Sequence, residues 1–330
     1  MDLFHTRPIG RTTVQVPRLG LGTAPLGGWP HPITDEEARA TVRHAWDAGI
    51  RLFDTAPLYG HGIAEVNLGA ALRDRPRDEY TLSTKVGRVL EPGPPGETIF
   101  HNTPELSSVF DFSAAGARRS LAESLERLGL DRVDICLIHD PDDYHEQALT
   151  EVYPVLADLR AQGSIGAIGV GMNYSEPLAR FAAEADFDCV LLAGRYTLLE
   201  QDSMDELLPL IQEKGMSVIA GGVYNSGLLI DPTPGAMYNY APAPEHVLVK
   251  AGAIRDVCAG FDVPIRAAAL QFTLAHPAVC TAVCGYRTTD EVDTNRRWTT
   301  LPIPDALWDD LRDADLIPVD APTPRAKVPS

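Results

Sequence analysis

The chain has 330 residues, 45% of them apolar and 22% charged, an ordinary globular composition with enough apolar material for a sizeable core. Its 28 lysines and arginines against 46 aspartates and glutamates leave a formal charge of −18. That charge repels phosphate backbones and anionic lipid, and so speaks against nucleic-acid binding or a membrane-surface role. The length admits either two domains of about 150 residues or one large α/β barrel.

In chain order, short apolar runs alternate with longer amphipathic segments. The N-terminal stretch has no apolar region of a leader, and no run reaches the ~18 apolar residues of a membrane helix, so a soluble, cytoplasmic protein is expected. Arg7 to Pro17 alternates around Gly10-Arg11-Thr12 and predicts a hairpin. Residues 19–23 predict a first strand. Thr34 and Glu37 have capping-box spacing ahead of Ala38, Val42, Ala45 and Trp46 on one helical face, and Gly49 ends that helix. Strands follow at 51–54, 80–85, 132–138, 165–171, 188–193, 216–220 and 279–284. Helices are expected at 63–72, 113–128, 147–161, 175–184 and 203–213, near 245–259 and 264–275, and after the last strand.

Eight strands, each with a following helix and no Gly/Ser-rich linker between them, predict a parallel (β/α)8 TIM barrel in one domain, residues 1–330, with an N-terminal β-hairpin. A doubly wound sheet is the alternative, since strand order is not readable from periodicity. Two long connections, 86–112 and 221–244, follow strands and so belong to the C-terminal mouth, where they are expected to wall the site. The run Glu91-Pro-Gly-Pro-Pro-Gly96 predicts irregular backbone in the first, and Asp231-Pro-Thr-Pro-Gly235 with Ala241-Pro-Ala-Pro244 in the second. A proline-rich tail, 315–330, reads as irregular.

The five cysteines, Cys136, Cys189, Cys258, Cys280 and Cys284, are odd in number, without a C-x-x-C pair, and mostly inside apolar runs. They read as buried small hydrophobes, and no metal is expected. Asp140-Pro-Asp-Asp143 lacks the further ligand spacing of a calcium or magnesium site. The glycines of Leu19-Gly-Leu-Gly-Thr-Ala-Pro-Leu-Gly27 do not fit a dinucleotide loop, because Pro25 stands where the helix should begin.

The ends of neighbouring strands carry Asp54, Lys85 and His139, and Tyr59 follows Asp54 closely. Each alone has an ordinary structural explanation. Together they form an acid–base system. A phenol, with an ordinary pKa near ~10, is a poor acid or base at neutral pH. A nearby ammonium favours the phenolate, and a carboxylate keeps the ammonium charged and oriented. An imidazole adds a hydrogen bond to the substrate oxygen. Such a tyrosine exchanges a proton with an alcohol or carbonyl oxygen while a hydride moves elsewhere, which implies a nicotinamide cofactor.

On Leu19-Gly-Leu-Gly-Thr23, Phe53-Asp-Thr-Ala-Pro-Leu-Tyr-Gly60, Ser83-Thr-Lys85, Leu137-Ile-His-Asp140 and Ile168-Gly-Val-Gly-Met-Asn173, the chain resembles the aldo-keto reductases along nearly its whole length. The resemblance implies Tyr59 as general acid/base, Lys85 tuning it, Asp54 pairing with Lys85, His139 orienting the substrate oxygen, and Asn173 holding the carboxamide. It further implies that Gly22, Thr23, Asp54, Gly221, Gly222, Tyr224, Ser226 and Leu228 face the cofactor, the last four offering amides and a hydroxyl to the pyrophosphate. Two residues depart from the family pattern: Gly221 replaces a stacking tyrosine, and Ala193 replaces a glutamine.

In the closing stretch, the resemblance implies that Gly285, Arg287, Glu291 and Asn295 lie near the adenosine. Gly285 and Glu291 occupy sites that are basic in NADP-preferring relatives, so NAD is expected over NADP. The stretches 192–199 and 221–229 resemble a subgroup containing NAD(P)-linked dehydrogenases of aldoses and of pyridoxal. A sugar or pyridoxal is therefore the expected substrate, with NADPH-dependent aldehyde reduction and a nicotinamide-binding redox-sensor subunit as alternatives. Trp29, Tyr59, His139, His101 and Phe110, with Asn102 and Tyr238, are candidates for the substrate side.

Overall fold

The computed structural model describes residues 5–239 and 241–324. Eight parallel strands close a barrel: β3 (Leu19–Gly22), β4 (Leu52–Asp54), β5 (Thr81–Val86), β8 (Ile135–His139), β9 (Ala167–Met172), β10 (Cys189–Ala193), β11 (Ser217–Gly221) and β14 (Val279–Gly285), with β14 pairing back onto β3. The intervening strands are β1 (Thr6–Pro8), β2 (Gln15–Pro17), β6 (Arg88–Pro92), β7 (Leu106–Phe110), β12 (Met237–Tyr238) and β13 (Ala241–Pro242). The helices are α1 (Asp35–Asp47), α2 (Ile63–Leu72), α3 (Ala114–Leu128), α4 (His145–Gln147), α5 (Tyr153–Ala161), α6 (Ser175–Glu184), α7 (Leu207–Glu213), α8 (Glu245–Gly260), α9 (Ile265–Ala275), α10 (Thr289–Trp298) and α11 (Asp305–Asp313).

The barrel strands read as nearly unbroken apolar runs because both faces are buried, as in Ile135–His139 and Cys189–Ala193. One face supplies Leu52, Ile135, Leu137, Leu191, Ile219 and Val283 to an inner cluster that Ile9 and Val16 of the hairpin complete. The other face packs under the helices. Gly10 donates its amide to Ser217 Oγ at 2.8 Å, and Thr81 Oγ1 donates to the Gln15 carbonyl at 2.8 Å. Ser217 and Thr81 begin their strands, so the hairpin closes the N-terminal end and leaves the C-terminal mouth open.

The closed parallel order decides for the TIM barrel over the doubly wound sheet. Five local expectations change, one of them in the second long connection, where β12 and β13 pair antiparallel from Met237↔Pro242 to Tyr238↔Ala241, so the run expected to be irregular begins in a strand. Residues 86–112 are not wholly irregular: β6 and β7 pair antiparallel from Arg88↔Phe110 to Pro92↔Leu106, and Pro92 is tolerated because it ends its strand. The Pro/Gly run supplies the connection beyond it. The helix expected at 147–161 is α4, a π-helical stretch Ala148–Val152 and α5; Pro154, lacking an N–H, cannot continue a regular ladder there. The helix expected from 203 begins at Leu207 after a 3-10 turn. Helix α11, which the sequence reading did not assign, buries Leu307, Trp308 and Leu311. Residues 325–330 of the expected tail lie outside the described residues, while Arg312 ties the part before them through Ala321 O and Thr323 Oγ1.

All five cysteines are buried and free. No single helix among the described residues is long and apolar enough to cross a membrane.

Candidate active site

Adjacent strands bring the expected catalytic set together. Asp54 ends β4 opposite Ser83 of β5, Lys85 lies opposite Leu137 of β8, and His139 ends β8. Tyr59 sits in the turn after β4, where its amide donates to the Ala56 carbonyl at 3.1 Å and its carbonyl accepts from Ala64 at 3.2 Å. That turn is held by a backbone contact. A Cβ on Gly60, whose φ is +61°, would stand 2.5 Å from the Gly27 carbonyl oxygen, and one on Gly27 would stand 2.6 Å from the Gly60 nitrogen. Only glycines allow this approach.

The Lys85 ammonium is 1% exposed and lies 2.7 Å from Asp54 Oδ2 and 2.9 Å from the Thr55 carbonyl. Its nitrogen is 4.7 Å from the centroid of the Tyr59 ring. Burial pulls the ammonium toward the neutral form, but the Asp54 charge, Tyr59 and their hydrogen bonds outweigh it, so Lys85 is held above its ordinary value. The His139 ring stands edge-on to Tyr59, with centroids 5.9 Å apart at 89°. Burial, then the charges of Lys85 and Arg88, hold His139 well below the usual imidazole range. It is therefore neutral, and its 3.5 Å approach to Asp140 Oδ2 is not an ion pair. A neutral imidazole can hydrogen-bond a substrate oxygen without carrying charge into the site.

Tyr59, Lys85 and His139 line a cavity of about 500 Å³, together with Trp29, Leu58, Arg88, Phe100, Met172 and Asn173. Trp29 precedes Pro30 through a cis peptide. At the rim, Gly22 pairs with both Asp54 and Gly285, and Gly221 with Ala193. Thr23 Oγ1, Asp54 Oδ1 and Thr55 Oγ1 are buried without a hydrogen-bond partner. With the Asn173 amide on the cavity wall and bare backbone at Gly221 and Gly222, these unpaired groups fit a polar planar ligand such as nicotinamide.

Other expected residues lie differently. His101 does not line the cavity: its Nε2 meets the Pro30 carbonyl at 3.1 Å. Phe110 and Tyr238 do not line it either; Phe110 stacks on Phe112, with centroids 5.6 Å apart, and its ring faces the Arg88 guanidinium at 3.9 Å. Asn102 also lies off the cavity, with a φ of +56°. The Leu228 amide is committed to the Asn225 carbonyl at 3.1 Å and is not open to a pyrophosphate. Tyr224 donates its hydroxyl to Asn295 Oδ1, so these two hold one another. Ser226 keeps a left-handed φ of +58°. Glu291 and Thr288 form a capping box at the start of α10, and the Glu291 carboxylate also accepts the Arg287 amide at 2.6 Å. The Arg287 guanidinium is bound to the carbonyls of His31 and Pro32 at 2.6 and 2.9 Å.

Leu58, Arg88, Phe100 and Met172 line the cavity without having been singled out in the sequence. Leu58 and Met172 stand next to Tyr59 and Asn173, a usable signal. Arg88 and Phe100 fall in a segment whose prolines hide its pairing.

Comparison with known proteins agrees with this arrangement. The chain is 42% identical over 313 residues to a D-threo-aldose 1-dehydrogenase of a Pseudomonas species, covering 92% of this chain and 95% of that relative. It is 40% identical over 334 residues to the pyridoxal 4-dehydrogenase of Microbacterium luteolum, covering 94% and 97%. Its fold is similar to that of an aldo-keto reductase from Bacillus halodurans in the holo form, at a TM-score of 0.77 and 26% identity over 93% of this chain and 95% of that one. Residues 18–315 match the Aldo/keto reductase family, and the chain belongs to that family of nicotinamide-dependent oxidoreductases acting on CH–OH groups.

Proposed function

We propose that this protein, acting as one barrel domain, oxidises C1 of a free aldose of the fucose or galactose type with NAD and yields a lactone. The observation that carries the reading is the Asp54–Lys85–Tyr59 arrangement facing His139 across one cavity. The 42% identity to an aldose 1-dehydrogenase supports the substrate class.

In this reading Tyr59, as phenolate, takes the proton of the anomeric hydroxyl as the C1–O bond becomes a carbonyl. Lys85 stabilises the charge on the phenol oxygen, and Asp54 keeps the ammonium in place. Neutral His139 donates a hydrogen bond to the reacting oxygen. NAD, when bound, accepts the hydride that leaves C1. Asn173 would hold its carboxamide, Gly22, Thr23, Asp54 and Gly221 would border the nicotinamide half, Gly222, Tyr224 and Ser226 would lie toward the pyrophosphate, and Gly285, Arg287, Glu291 and Asn295 toward the adenosine. Preference for NAD is supported by the Glu291 carboxylate, which occupies the amides at the start of α10, and by an Arg287 guanidinium bound to the 31–32 backbone.

A second reading, pyridoxal oxidation, is favoured by the 40% identity to a pyridoxal 4-dehydrogenase and by the Trp29 and Phe100 rings on the cavity wall. Pyridoxal forms an internal hemiacetal, so the same proton and hydride transfers apply. NADH appearance with L-fucose, D-arabinose, L-galactose and pyridoxal, using each cofactor, separates the two. Tyr59→Phe is expected to abolish turnover; an unchanged rate would overturn the assignment.

A further inference from the structure

Beyond Tyr59 and His139, which meet the reacting oxygen in the proposed reaction, the cavity wall carries a second polar group of residues. Arg88 and Asp140 both line it, with their side chains only 15% and 25% exposed, and the guanidinium lies 3.3 Å from Asp140 Oδ2. The guanidinium is pinned in position by the Phe110 ring at 3.9 Å. Asp140 has a left-handed φ of +48°, and its amide donates to the Gly171 carbonyl at 3.0 Å. That unusual backbone turns the residue directly after His139 toward the same cavity. Ser108, paired with Leu90 in the β6–β7 ribbon, lines it as well. Arg88 Nε and Ser108 Oγ are both buried without a hydrogen-bond partner. Buried donors left unpaired cost stability unless a ligand completes them.

We propose that Arg88, Ser108 and Asp140 form a hydroxyl-binding subsite for the carbon next to the reacting one. Asp140 Oδ2 is 3.5 Å from His139 Nε2, so an oxygen held by His139 and a neighbouring hydroxyl held by Asp140 and Arg88 match the spacing of a vicinal diol. The carboxylate accepts a hydrogen bond from the hydroxyl, and the guanidinium and Ser108 donate hydrogen bonds to its oxygen. Because Asp140 already balances the Arg88 charge and Glu97 lies on the same wall, the subsite selects a neutral hydroxyl over a phosphate or carboxylate. The inference deepens the aldose reading, since it names what in the site recognises a polyhydroxylated substrate.

The test uses reduction by NADH or NADPH, so it does not depend on aldose oxidation. The substrates are 2-hydroxypropanal and propanal, which differ by the one hydroxyl. The wild type is expected to prefer 2-hydroxypropanal by about tenfold or more in kcat/KM, a loss consistent with leaving buried donors unpaired in the other complex. A wild-type ratio below that overturns the subsite, and this measurement needs no variant to fold. In Arg88→Met and Asp140→Asn the ratio is expected to fall at least about threefold, and in Ser108→Ala by a smaller factor. A ratio unchanged in both of the first two variants overturns it equally. A wild type that keeps the ratio yet oxidises no aldose would refute the aldose assignment while leaving the subsite standing.

Discussion

Lys85 Nζ and Asp54 Oδ2 are 2.7 Å apart where neither side chain is more than 5% exposed. The pair is worth little as a stabilising contact, since both charges were taken out of water to make it. In the proposed mechanism its value is that Lys85, 4.7 Å from the Tyr59 ring centroid, keeps its charge beside a phenol that must carry one.

Removing one partner is therefore expected to be costly twice over. Asp54→Ala leaves an ammonium buried without its counter-charge, and unfolding by urea is expected to show a loss of about 3–5 kcal/mol. Lys85→Met removes the charge that supports the phenolate, and kcat is expected to drop by roughly 10²–10⁴. A Lys85→Met protein with near wild-type kcat would show that Tyr59 acts without it.

Stability is expected to fall on the acid side through His276. Burial pushes this imidazole down to about 4, and its Nδ1 accepts the Ala278 amide at 3.2 Å, which requires the neutral ring. The unfolded chain binds that proton near pH ~6.5 and the folded chain does not, so the stability is complete above pH ~6.5 and lost as pH falls toward 4. The loss amounts to roughly 3 kcal/mol across that window. His139, also held below its ordinary value, adds to the same slope. Urea midpoints between pH 7.5 and 4.5 are expected to fall more steeply for the wild type than for His276→Gln; parallel curves would remove His276 from the account.

Cofactor choice is expected to move with Glu291 and not with Gly285. Glu291→Lys replaces a carboxylate with a cation at the start of α10 and is expected to shift the NADP/NAD ratio of kcat/KM upward by about tenfold or more. It also gives up the capping box, at about 1 kcal/mol of stability. Gly285→Lys is expected to fail as a switch, since its Cβ would stand 2.6 Å from the Pro25 ring. Comparison of both cofactors with both variants, alongside their melting temperatures, checks the pair of outcomes.

The thiols are expected to be inert in the folded protein. Burial pushes Cys136, Cys258, Cys280 and Cys284 up to about 12, and Cys189 well above its ordinary value. Iodoacetamide at neutral pH is expected to leave activity intact and the native mass unchanged, with five adducts forming only in urea. Rapid native labelling at any of them would contradict the burial.

The barrel was legible because its strands are apolar on both faces and its helices have period and caps, as at Thr34–Glu37. The gathering of Asp54, Tyr59, Lys85 and His139 was legible because strand ends meet at one mouth once the barrel is granted. The cavity wall was less so. Pairing of Arg88 with Phe110 across a connection containing Pro94 and Pro95 leaves no local signal, and the alternation of β6 is only five residues long. His101 and Phe110 have suitable residue types near the mouth, but type does not tell which way a loop side chain turns. The committed amide of Leu228 depends on a turn centred on Ser226, whose positive φ no periodicity announces.

The touching backbones of Gly27 and Gly60 have a consequence for how such a site can diversify. The segment bearing Trp29 and the turn bearing Tyr59 share one fixed frame, so a change in the first is transmitted to Tyr59. The β6–β7 ribbon meets that turn through a side chain instead, His61 Nδ1 on the Leu106 carbonyl at 2.6 Å, and is also held by Ser120 Oγ on the Arg88 carbonyl at 2.7 Å. A side-chain contact yields more readily than touching backbones, so selection for a new substrate can rework ribbon side chains with less effect on Tyr59 than a change at Gly27 or Gly60, and variation among substrate preferences should accumulate there.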